Sequence, residues 1–219
     1  METFRLLVAG SNEITRKGLC ALVRRQPGWD LAAEARDGRE AVERAKQIEP
    51  DVAIMDIAMP TLNGIDATRQ IANGALKTKV LLLASRDTDQ LLRQTLEAGA
   101  RGYLLKSDSR DDLVSAVEAL RYGRSFFTGR AAREVLRGYL ERLEEMRQAG
   151  VKNYRQLSVR EREVVQLLAE GYSSRKVAAV LNISIKTAET HRANLMQKLD
   201  CHSVAGVVRY AIRNHIIEA

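Results

Sequence analysis

The stretch VLLLASRDTDQLLRQTLEAGARGYLL, residues 80–105, decides the fold. It opens on an apolar run of strand length, Val80 to Ala84, and continues into Thr88 to Ala98, whose apolar residues recur at helical spacing. Glu97 to Gly99 is a turn signal, and a second apolar run, Gly102 to Leu105, follows it. The same alternation extends toward the N-terminus through the runs Phe4 to Ala9, Leu31 to Ala35 and Val52 to Met55. Amphipathic segments Thr15 to Arg25, Glu40 to Ile48 and Asp111 to Arg121 alternate with them, and Pro27-Gly28, Asp37-Gly38, Pro50 and Asn63-Gly64 punctuate the register. Five strand–helix units imply a parallel sheet covered on both faces, because right-handed crossovers place helices there. The first part of the chain is therefore expected to be a doubly wound α/β domain with five parallel strands.

A chain of 219 residues suits two domains. With 45% hydrophobic and 29% charged residues and three prolines it is neither disordered nor fibrous. No apolar run approaches the roughly 20 residues of a membrane span, and Met1 to Arg5 does not open a signal peptide, so no membrane partner is expected. Cys20 and Cys201 show no Cys-x-x-Cys spacing, which fits a reducing cytoplasm better than a disulfide framework or a zinc site. The charge is uneven. Residues 151–219 hold 11 Lys/Arg against 6 Asp/Glu, +5 of the total +7, the footprint of a module that meets a polyanion.

After Phe126 the pattern becomes one polar helix, Arg130 to Gln148, with Leu136, Tyr139, Leu143 and Met146 spaced by three and four and Gly150 closing it. Such a seam either pairs with a second copy or rests on an adjoining domain. The rest reads as four helices without a strand. Ser158 and Glu161 form a capping box, Gly171 stops the helix they open, and Ser173 or Ser174 starts the next, with Val177, Ala178 and Leu181 inward. Asn182 to Ser184 turns into a helix reaching Leu199, and Ser203 caps a last one carrying Val204, Val207, Val208 and Ala211 on one stripe. The middle pair has helix-turn-helix shape. On its second helix Ala188, Leu195 and Leu199 form one face, while Lys186, Thr190, Ala193 and Gln197, flanked by Thr187, Asn194 and Lys198, form another. That second face suits phosphate oxygens and base edges in a major groove, and equally suits plain solvent.

The runs from Leu157 to Val164, from Ala169 to Ser173 and from Leu181 to Leu199 closely resemble the LuxR-type helix-turn-helix, and residues 1–121 resemble a CheY-like receiver. Together they resemble a NarL/FixJ-type response regulator, with domains expected at 1–122, 123–152 (linker) and 153–219. The resemblance implies a sequence-specific, DNA-binding transcriptional regulator, not an enzyme, that acts on double-stranded DNA as a homodimer. Lys186, Thr187 and Lys198 are expected to hold phosphates, and Glu189, Thr190, Ala193 and Asn194 to face base edges; His191 joins them as a surface or phosphate-contacting residue. His191, His202 and His215 lack metal-ligand spacing.

The resemblance also places Asp56 at the phosphoacceptor position and Lys106 at that of its partner cation. Relatives hold Mg²⁺ with an acidic pair after the first strand; the segment Arg16 to Leu19 aligns that pair with Gly10 and Ser11, and Glu13 already belongs to the next loop or helix. Ala84 stands where relatives place a hydroxyl, and Ser85 substitutes only if the strand has ended. Tyr103, at the position of a mobile aromatic, is expected to pack. Mg²⁺ binding is expected to be weak or absent, and the receiver to be atypical, with output independent of Mg²⁺-assisted phosphorylation. Three alternatives stay open: ordinary activation through Asp56 by a histidine kinase, a small-molecule effector in the pocket, and Asp56–Lys106 as a structural salt bridge only.

Overall fold

The structure, a computed structural model, describes residues 3–74, 77–128, 157–201 and 203–217. The chain divides into two units, Met1–Met59 with Asn63–Gly150 and Pro60–Leu62 with Val151–Ala219. The expected linker helix with its seam, Gly150 and His202 lie outside the described residues.

In the first unit β1 (Phe4–Ala9), β2 (Trp29–Ala35), β3 (Val52–Asp56), β4 (Lys79–Ala84) and β5 (Gly102–Leu105) pair in parallel in the order β2-β1-β3-β4-β5. The helices between and after them are α1 (Glu13–Arg25), α2 (Gly38–Ile48), α3 (Gly64–Asn73), α4 (Asp89–Glu97) and α5 (Arg110–Arg121). The central strands are buried on both faces, which is why they read as unbroken apolar runs. Leu6, Val8, Ile54, Leu81, Leu83 and Leu104 meet Cys20 and Val23 of α1 and Val117 and Leu120 of α5; the alternate residues Leu7, Met55 and Leu82 are equally buried.

Five strands were expected and the sheet has six. Phe126–Phe127 forms a short β6, parallel to β5 with Gly102 opposite Phe126, inside the stretch expected to begin the linker. Two phenylalanines after Gly123 are too short a run to register as a strand. Two of the turn signals are helix starts. Asp37 accepts from the amides of Arg39 and Glu40, and Asn63 from that of Asp66, so each caps a helix that begins at the following glycine. Gly64 also packs so closely on the end of β3 that a Cβ would collide with the Asp56 carbonyl oxygen.

The second unit contains α6 (Val159–Ala169), α7 (Ser174–Leu181), α8 (Ile185–Lys198) and α9 (Val204–Arg213), and no strand among its described residues. Serines 158, 173, 184 and 203 cap them, Ser158 in a complete capping box with Glu161. Asn182 ends α7 in the left-handed conformation, and Arg160 donates to the Leu181 carbonyl to tie α6 to that turn. Val164, Leu168, Val177, Leu181, Ala188, Leu195, Val207 and Ala211 fill the core. On the last stripe Val207 and Ala211 are buried, Val208 is half-buried and Val204 is exposed.

Candidate receiver pocket and nucleic-acid interface

Asp56 closes β3 at the carboxyl edge of the sheet, where strand-end side chains converge. It is 5% exposed and both oxygens are engaged: Oδ1 accepts from the Ala58 amide at 3.1 Å, and Oδ2 from Lys106 Nζ at 2.6 Å. Lys106 follows β5, and its amide donates to the Ala84 carbonyl at 2.8 Å, so the backbone of β4 sets where the ammonium starts. The result is one carboxylate and one ammonium in contact, mostly shielded from solvent.

Gly10 follows β1 beside this pair. A Cβ built on it would lie 3.7 Å from the Asp56 Cβ, at ordinary van der Waals distance, with no other heavy atom within 4 Å, so a Cβ at this position would lie directly against Asp56. Ser11 Oγ donates to the Ala58 carbonyl at 3.3 Å from an exposed position. Glu13, the first residue of α1, is exposed. Ala84 ends β4 and is buried; Ser85 lies just past the strand and is exposed. Tyr103 is inward and 1% exposed, and its hydroxyl donates to the Arg86 carbonyl at 3.0 Å. Burial, and then the charges of Asp87 and Asp108, push the phenol's pKa well above its usual value. Its ring packs the core while its tip is pinned to the loop after β4.

One pocket neighbour escaped the sequence. Arg16 on α1 is buried, donates from Nη1 to the Gly10 carbonyl at 2.7 Å and sits 3.7 Å from Glu34 of β2. Lys17 and Arg24 share that carboxylate. The guanidinium therefore fixes the backbone that carries Gly10. In the sequence Arg16 marks only an alignment, because a buried arginine has no local signature.

In the second unit α8 buries Ala188 and Leu195 and leaves Lys186, Thr187, Glu189, Thr190, Ala193, Asn194, Gln197 and Lys198 exposed, with His191 and Arg192 half-buried. Their hydroxyls and charges differ in availability. Thr190 Oγ1 donates to the Lys186 carbonyl at 2.9 Å, and the Ser184 and Thr187 hydroxyls share one bond at 2.8 Å. Lys198 Nζ lies 2.8 Å from Glu161, a pairing across 37 residues that the sequence does not announce. Burial alone would raise the Glu161 pKa, but bonds from Lys198 and Ser158 outweigh it and hold the carboxyl below its ordinary value. His215 is half-buried after α9.

Residues 6–118 match the response regulator receiver domain, and residues 155–211 match the bacterial regulatory proteins of the luxR family. The transcriptional regulatory protein LiaR of Bacillus subtilis is 34% identical over 215 residues, 97% of this chain and 99% of LiaR. The receiver domain of the response regulator NarL from Mycobacterium tuberculosis superposes with a TM-score of 0.55 at 32% identity, covering 57% of this chain and all of that one. A structure of two RcsB dimers bound to two parallel DNAs shares the fold, with a TM-score of 0.57 at 23% identity over 97% of this chain and 99% of that one. By both matches, and by a relative alike along almost its full length, the chain belongs to the response regulators with a luxR-family C-terminal domain.

Proposed function

We propose that this regulator binds double-stranded DNA as a homodimer through α8, and that its receiver controls that output without Mg²⁺-assisted phosphorylation. The observation that carries the second part is Gly10 beside an Asp56 whose two oxygens are already bonded. A carboxylate attacking a phosphoryl donor needs its charge offset, and Mg²⁺ asks for several hard oxygens in near-octahedral array. Among the described residues the side chains that meet here offer one carboxylate, already balanced by Lys106, and the Ser11 hydroxyl, with the Ala58 carbonyl beside them, so they supply a single negative charge and do not suit that ion. Nor do they favour a hydrolytic cycle of the chain's own, since among the described residues no group of three or more His, Cys, Asp or Glu gathers to hold a metal. A kinase partner or a small effector would act on the receiver by contact. No helix of the described residues is long and apolar enough to cross a membrane, and both cysteines are free, as in a reducing cytoplasm.

Phosphotransfer tests this. Full-length protein is incubated with a small phosphoryl donor, with and without Mg²⁺, and Asp56 is followed by intact-mass spectrometry together with DNA affinity. The expected outcome is no adduct and an unchanged Kd; a Mg²⁺-dependent adduct at Asp56 would return the chain to ordinary phosphorylation control.

A further inference from the structure

The exposed face of α8 carries two threonines in different hydrogen-bonding states. A hydroxyl has a single proton to donate. At Thr190 that proton goes to the Lys186 carbonyl one turn back, leaving a methyl group and an acceptor lone pair for whatever meets the helix. Thr187 shares its bond with Ser184, which already accepts from the Thr187 amide. Three residues beyond Thr190, on the same face, Ala193 exposes another methyl. Neither Thr190, as bonded here, nor Ala193 can donate a side-chain hydrogen bond.

Bases differ in what they ask of such a surface. Guanine presents two acceptors in the major groove and needs a donor opposite, usually Arg or Lys, whereas thymine presents a methyl group that alanine and threonine methyls fit. Exposed Asn194, beside Ala193, has the amide pattern that matches adenine. We propose that Thr190 reads a T·A pair through its methyl group, with Ala193 continuing the apolar surface, and that its hydroxyl is spent on the helix and plays no part in readout. The inference rests on α8 being the DNA-contacting helix and adds which base it selects and by which atoms.

The test uses the full chain and a duplex selected by it from a random pool. Each thymine is replaced in turn by deoxyuridine, which keeps every hydrogen-bonding group and lacks only the methyl. At one position the replacement is expected to weaken binding about fourfold, the effect of one buried methyl-sized group. Thr190→Val, which keeps the methyl and loses the hydroxyl, should show the same penalty there, and Thr190→Ser, which does the reverse, should show none. Deoxyuridine tolerated at every position, a penalty surviving intact in Thr190→Ser, or one abolished in Thr190→Val would each overturn the methyl readout while leaving DNA binding in place. Failure to enrich any duplex over random DNA would overturn both.

Discussion

Asp56 shows how little a single residue settles by identity alone. It ends β3 as a phosphoacceptor would, yet its oxygens are occupied by an amide and an ammonium, and Gly10 beside it offers no side chain. The room for a Cβ at Gly10 lets the proposed absence of acids be tested by adding them. Gly10→Asp, Ser11→Asp and Ala84→Thr together are expected to create Mg²⁺ binding, visible by calorimetry and absent in the native protein, at a stability cost from crowding like charges beside Asp56. A folded triple variant that binds no metal would show that Gly10 and Ser11 are not the positions of the missing acids. Glu161 offers a second residue-scale test. Its carboxyl titrates below the ordinary 4.5, so the stability it confers is fully present above that value and is lost as pH falls through the folded pKa. Between neutral pH and pH 3, helical melting of the protein is expected to fall further in the wild type than in Glu161→Gln; equal falls would mean that the Lys198 bond contributes nothing.

The same pair matters to α8 as an element. If α8 meets DNA as proposed, a phosphate at Lys198 shares that ammonium with Glu161, so the contact carries less net positive charge and displaces fewer of the DNA's condensed cations than an unpaired lysine would. Lys198→Ala is accordingly expected to flatten the dependence of log K on log salt by less than one unit, against the roughly one unit of an unpaired lysine; titrations between 50 and 200 mM salt, a range set by the usual size of the effect, check it. Elements such as α8 were legible because their caps and buried stripes are local: Ser184, Ala188 and Leu195 lie within twelve residues and announce a helix with one packed face. The Glu161–Lys198 pair and the buried Arg16 were not, because each depends on partners brought together only by folding. The start of α3 was missed for a different reason: its cap is local, Asn63 to the Asp66 amide, but Asn-Gly is also a turn pair, and the two readings compete until the helix is seen.

At the scale of the whole chain, the parallel sheet was readable because burial on both faces leaves uninterrupted apolar runs, and the luxR-family unit because its four serine-capped helices follow one another closely. What the sequence did not show was where the sheet stops. Phe126–Phe127 is a narrow addition, paired with Gly102 and Tyr103 alone, and the Thr128 hydroxyl donates to Asp108 to hold its end. Open sheet edges template the addition of foreign strands. At the opposite edge, β2 carries Asp30 and Glu34, with Lys17 and Arg24 on the latter, and charge guards it. The β5 side has no such charges, since Gly102 to Leu105 are apolar apart from the Tyr103 hydroxyl, and its guard is the two-residue cover. A receiver fragment cut at residue 122 would thus leave β5 bare and prone to self-association, whereas one ending after Thr128 would carry its own edge protection with it.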